Sequence, residues 1–166
     1  MEKQGIVMKL CSIDSSTKAT GISFFIDGEY QSHTLFDHHK IKDVDERINS
    51  MIKDITKLLQ KENPDIVWIE HPQGHGKNVS MVAKLSEILG AVRCWCVCKN
   101  KEYYEINPSQ WRKWLPEYSQ GGKSRTELKA DSIAYVQKHL GIDASEDECD
   151  SICIGLGVLE YYKSLE

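Results

Sequence analysis

Long apolar runs are missing from this chain. Nothing in its 166 residues approaches the roughly 18 consecutive apolar positions that a membrane helix needs. The stretch from Met1 to Lys9 carries charge but no apolar segment of signal-peptide length, so export is not expected. Proline is scarce, at four residues, and 40% hydrophobic with 28% charged residues excludes a collagen-like or disordered chain. A chain of this length buries about 70% of its unfolded surface, so its core needs no disulfide staples. The six cysteines therefore read as free thiols of a cytoplasmic protein. Internal repeats and composition breaks are also lacking, which predicts a single domain over residues 1–166.

What is present is an uneven charge. The chain carries a net −4, yet residues 71–130 hold ten Lys/Arg against five Asp/Glu. A basic middle in an acidic protein suits a face for a polyanion, with acidic flanks that could supply metal ligands.

The hydrophobic period divides the chain into elements. VMKLCSID and GISFFI read as two strands, Asp27-Gly28 as a two-residue hairpin turn, and Tyr30 to Phe36 as a third strand. From Asp43 to Glu62 the period changes to three and four, an amphipathic helix with Asp43 and Glu46 as its capping box. DIVWIE is a short apolar run closed by a charge, the pattern of a buried central strand. A helix follows from about Lys77, then a strand over Tyr103 to Ile106 and a short helix, SQWRKWL, headed by Asn107-Pro108. Ser124 with Glu127, and Ser145 with Glu148, are capping boxes that open two further helices. The order βββ-α-β-α-β-α-α-α predicts an α/β fold, a mixed five-stranded sheet with helices on both faces.

Four carboxylates fall at element ends. Asp14 ends the first strand and Glu70 the fourth; if the two run parallel as neighbours, both project at one end of the sheet. Asp147 and Asp150 share a face at the head of the last helix. Each alone has an ordinary structural explanation, as a turn residue, a solvated strand end or a complement to the helix dipole. Together they would repel unless cations neutralise them, and carboxylate oxygens suit Mg²⁺ or Mn²⁺.

In this order the segments resemble a known family. SIDSSTKATGISFF is similar to the first-strand motif of the RuvC-like Holliday junction resolvases, an aspartate followed by small residues and T-G. PDIVWIEHPQGHGKNVSMVAKLSEILGAV resembles their second motif, and DASEDECDSICIGL their third, an Asp-x-x-Asp followed by small residues. The resemblance covers essentially the whole chain and looks more like phage than chromosomal members, which places the protein in a bacterial host or phage-infected cell. It implies an RNase H-like fold, a homodimer, and symmetric Mg²⁺-dependent nicking of four-way DNA junctions, with Mn²⁺ as a substitute ion. It implies Asp14, Glu70, Asp147 and Asp150 as the catalytic, metal-binding set. The family's aromatic wedge after the glutamate has no counterpart in HPQGHG, where His75 is the candidate junction-loop residue.

For nucleic-acid binding, Lys77 and Asn78 head a helix, a ready phosphate site. Arg112, Lys113, Lys123, Arg125 and Lys129 form a basic run around the Gly121-Gly122 break. The resemblance points to Lys123 and Lys129 as the lysines that approach the cut strand. Trp111 and Trp114 read as core or dimer packing rather than base-stacking platforms. Cys94, Cys96 and Cys98 share a face only on a strand and would still need a fourth ligand, so zinc is not expected. The rivals are a general debranching nuclease or RNase H-like ribonuclease with the same carboxylates, and a non-catalytic nucleic-acid binder on the same fold. D-x-S-T-x-x-T-G also suggests an actin-like phosphotransferase, but that needs a second, matching domain. Neither a membrane nor a small-molecule cofactor is expected as a partner.

Overall fold

A computed structural model of the chain describes residues 8–72, 79–118 and 121–166. Its elements are β1 (Lys9–Ser15), β2 (Ala19–Ile26), β3 (Glu29–Asp37), α1 (Val44–Glu62), β4 (Ile66–Glu70), α2 (Val79–Cys98), β5 (Glu102–Ile106), α3 (Pro108–Trp114), α4 (Arg125–Leu140) and α5 (Glu146–Lys163). The order matches the expected one, and the sheet order is β3-β2-β1-β4-β5.

Local chemistry accounts for the element ends. Asp27 (φ 51°) and Gly28 (φ 83°) both take positive φ, which gives the β2–β3 hairpin a turn matched to the strand twist. The Asp43 carboxylate caps α1 by accepting the Glu46 N–H at 2.8 Å; of the expected reciprocal box, this is the half that the structure shows. The boxes at Ser124/Glu127 and Ser145/Glu148 both close in full. Asn63 (φ 47°) and Gly141 (φ 65°) end α1 and α4 in the left-handed conformation.

β1 lies at the centre, antiparallel to β2 and parallel to β4. Because side chains alternate along a strand, each strand serves two cores. Cys11 and Ile13 of β1 join Val67 and Ile69 of β4 beneath α1 and α2. Leu10 of β1 and Ile66 and Trp68 of β4 join the opposite core, beneath α3, α4 and α5. The same parity sends Ser12 to the α5 side, where its hydroxyl reaches the Ser151 carbonyl at 2.8 Å and the Ser23 hydroxyl at 2.7 Å.

Helix α2 runs through the cysteine cluster, so Cys96 is buried while Cys94 and Cys98 are exposed. That placement removes the strand geometry a three-thiol face would need. His38 is half-buried and sits 3.0 Å from Asp54 of α1.

Candidate active site

Strand parity and register bring the first two carboxylates together. Asp14 and Glu70 follow Ser12 and Trp68 by two residues, so both face the α5 side. The parallel register sets Ile13 beside Ile69, and its next step sets Asp14 level with Glu70.

The second pair arrives because β2 leaves room for a helix end. A Cβ placed on Gly21 would stand 2.0 Å from the Asp147 carbonyl oxygen. Only a bare Cα there lets the first turn of α5 lie directly on the sheet. Farther along α5, a Cβ on Gly155 would meet the Phe25 ring at 2.1 Å, so the helix stays close along its length. Asp147 and Asp150, three residues apart, then face the Asp14–Glu70 strand ends.

Asp14, Glu70, Asp147 and Asp150 line one open cavity of about 500 Å³. Arg112, Arg125 and Lys129 line it too, and Met81, Val82 and Leu85 of α2 form an apolar wall. Ser15 and Ser16, which follow Asp14, complete the β1 rim. Burial, followed by repulsion from Glu70, Asp150 and Asp147, holds the Asp14 carboxyl well above the usual range. Burial pushes Glu70 up to about 7, against the Trp111 hydrogen bond that favours its ionised form. Asp147 and Asp150 are raised as well, chiefly by burial, with Lys129 working against it at both.

Each acid has its own surroundings. Glu70 Oε2 accepts from Trp111 Nε1 at 2.8 Å. Asp147 lies 3.8 Å from Lys129, whose ammonium also meets Glu146 at 2.6 Å. Asp150 is 8% exposed, and its Oδ1 is buried without a hydrogen-bond partner. Among the described residues, no three His, Cys, Asp or Glu side chains stand close enough to hold a metal ion as they are. The donor set nevertheless suits a hard divalent ion: oxygen only, mutually repulsive and raised in pKa, with one buried oxygen unpartnered.

The basic run divides. Arg112, Arg125 and Lys129 reach the cavity, but two expected lysines do not line it. Lys113 is exposed on α3. Lys123 pairs with Asp131 and lines a separate cavity of about 210 Å³ beside Tyr118 and Tyr135. Its ammonium is paired with a carboxylate of α4, outside the cavity that the four acids line. Lys77, Asn78 and His75 lie outside the described residues. His71 turns to Glu105 of β5 at 2.6 Å, in keeping with its position one residue out of phase with Glu70.

Sequence reasoning missed two contributors. Trp111 was expected only to pack, yet its indole also holds Glu70. Gly21 was noted only within a motif, yet it is the notch that admits α5.

No family model matches the chain, and no curated protein matches it by sequence. Solved structures do. RuvC of Thermus thermophilus, in complex with a Holliday junction substrate, is similar at a TM-score of 0.72 and 16% identity, over 95% of this chain and 96% of that one. Fowlpox virus resolvase, in complex with Holliday junction DNA, is similar at 0.63 and 19%, over 93% and 99%. The yeast mitochondrial Holliday junction resolvase Ydc2 is similar at 0.57 and 12%, over 95% and 80%. The chain has the RNase H-like α/β fold that these resolvases share.

Proposed function

We propose that this protein is a metal-dependent, structure-selective endonuclease that resolves four-way DNA junctions by symmetric nicking. The observation that carries the reading is the cavity in which Asp14, Glu70, Asp147 and Asp150 face Arg112, Arg125 and Lys129. Acidic groups and cations lining one cavity are what a phosphodiester and its metal ions together require. The resolvase fold of the solved structures above supports the choice of branched DNA as the substrate.

In this reading Asp14, Glu70, Asp147 and Asp150 hold Mg²⁺, or Mn²⁺ as a substitute, which when bound activates water and stabilises the leaving 3′-oxygen. Arg112, Arg125 and Lys129 bind phosphate oxygens, which positions the strand without reading its sequence and makes binding salt-dependent. The apolar wall of Met81, Val82 and Leu85 limits water around the scissile group. The products are nicks bearing 5′-phosphate and 3′-hydroxyl ends.

Symmetric nicking calls for two copies. The exposed face of α2 supports a homodimer: Val79, Ala83, Ser86, Gly90, Cys94 and Val97 recur on one side of the helix without a charge among them. Such a face favours close approach of another helix. Among the described residues no helix is long and apolar enough to cross a membrane. The proposed setting is the cytoplasm of a bacterial host or phage-infected cell, where the DNA substrate is.

The test compares an end-labelled four-way junction, a fork and a linear duplex, each in Mg²⁺ or EDTA. Paired Mg²⁺-dependent nicks confined to the junction are expected. Equal cutting of forks and junctions would point to a debranching nuclease, and binding without cutting to a non-catalytic binder. Asp14→Asn should bind the junction as the wild type does while losing cleavage by at least about 10³-fold, since its carboxylate acts in the chemistry. A variant that cuts at the wild-type rate overturns the site assignment.

A further inference from the structure

Glu70 is held by a donor of an unusual kind for an acidic cluster. The Trp111 side chain is fully buried, and its Nε1–H points at Glu70 Oε2 over 2.8 Å. An indole N–H only donates and carries no net charge. It can fix a carboxylate oxygen without neutralising it, whereas a lysine or arginine in the same place would compete with a cation for the charge. Three cations line the same cavity, yet the short hydrogen bond to Glu70 comes from the neutral ring.

The ring is itself fixed from several sides. Tyr118 packs edge-on at 5.8 Å, and the Arg112 guanidinium lies 4.6 Å from the ring centroid. Pro108 opens α3, and the Gln110 side chain accepts the Asn107 N–H at 3.0 Å, which anchors the start of the helix. On the far side, a Cβ on Gly157 would stand 2.7 Å from the Trp111 carbonyl oxygen, so the bare Cα of Gly157 sets how close α3 lies to α5. Helix α5 carries Asp147 and Asp150 directly. Through Gly157 and the Trp111 backbone it also sets the place of the indole that holds Glu70.

We propose that Trp111 is a positioning residue for Glu70, presenting the carboxylate, with its charge intact, to a divalent cation shared with the α5 acids. This rests on the nuclease reading above. Outer partners of metal ligands typically account for about 10- to 100-fold in metal affinity.

The experiment uses the full-length protein and the variant Trp111→Phe, which keeps a packed ring and deletes the N–H. Mn²⁺ affinity is measured by calorimetry, and nicking of a four-way junction is followed across a Mg²⁺ titration. A fall of about tenfold in Mn²⁺ affinity is expected. Nicking should fall at low Mg²⁺ and recover as Mg²⁺ is raised, with junction affinity in EDTA unchanged. In a Glu70→Gln background the same substitution should change Mn²⁺ affinity no further, because the two residues act as one unit. A folded Trp111→Phe with wild-type Mn²⁺ affinity overturns the proposal, as does an equal fall in both backgrounds.

A second measurement needs no change at Trp111. Of the four indole N–H resonances in the ¹⁵N spectrum, one should move on Mn²⁺-free addition of Mg²⁺ and also in Glu70→Ala. If all four stay in place in Glu70→Ala, the hydrogen bond is not formed in solution and the proposal fails. A wild-type protein that binds no divalent cation and cuts no junction overturns the nuclease reading and this assignment with it. Wild-type cleavage with unaltered Trp111→Phe overturns this assignment alone.

Discussion

On the α1/α2 side of the sheet, Cys11, Ile13, Ile22, Phe24, Val67 and Ile69 meet Ile48, Met51, Ile55 and Leu59 in a continuous apolar layer. On the α5 side the same strands present Ser12, Ser23, Asp14, Glu70 and the bare Cα of Gly21. The apolar cluster of that side gathers around Leu10, Phe25, Trp68, Trp111 and Ile152. One face is filled by volume. The other is shaped by omission, with glycines and serines letting α5 come close enough to deliver acids. Alternation along each strand allows this division without separate segments for scaffold and site.

The comparison predicts different kinds of damage on the two sides. Ile55→Ala, which removes a fully buried side chain on the scaffold face, should cost about 2–5 kcal/mol of stability in denaturant unfolding. Junction cleavage per folded molecule should be unchanged. A drop in the rate constant of the folded fraction would break the division.

Gly21→Ala adds one methyl on the other face, where the Asp147 carbonyl oxygen lies 2.0 Å from the new atom. It should cost about 1–3 kcal/mol by overpacking. Cleavage should fall on the order of 10²-fold, because α5 and its acids are pushed away from Asp14 and Glu70. Wild-type cleavage in this variant would mean that the α5 end does not need its close seat.

Asp14→Asn should raise stability in EDTA by on the order of 1 kcal/mol, since it relieves a carboxyl held above its usual range by burial and by its acidic neighbours. Saturating Mg²⁺ should narrow the gap by stabilising the wild type more than the variant. A lower melting temperature for the variant in EDTA would show that the four acids are not in conflict.

The smallest effect belongs to the far end of β1, where Lys9 Nζ meets Glu62 Oε2 at 2.7 Å. The Lys9 hydrogen bond holds the Glu62 carboxyl below its ordinary value of 4.5. A carboxyl lowered in the folded state adds stability above its unfolded pKa, and that stability is lost as pH falls through the folded value. Glu62→Gln should therefore be less stable than wild type at pH 7 by about 0.2–1 kcal/mol, with the difference fading in acid below the ordinary value. A difference that grows in acid would have the wrong sign for this pair.

Much of this organisation was legible in the sequence. The element order, the Asp27-Gly28 hairpin and the serine capping boxes depend on residues a few positions apart, and the structure has them where local chemistry requires. Placing Asp14 and Glu70 at strand ends needed only the apolar pattern. The basic residues were less legible. Lys123 and Lys129 look alike as sequence, yet Lys123 is taken up by Asp131 while Lys129 reaches the cavity. The cysteine cluster was decided by secondary structure, since α2 continues through Cys98 and turns Cys96 inward.

Local patterns specify the order of helices and strands and most of their caps, because period, caps and turns are short-range physics. Only the tertiary structure decided that α5 sits on Gly21, that Trp111 meets Glu70 across 41 positions of chain, and which cations share the acids' cavity. Those contacts join residues far apart along the chain. Their distances depend on how closely whole elements pack, which no local pattern specifies.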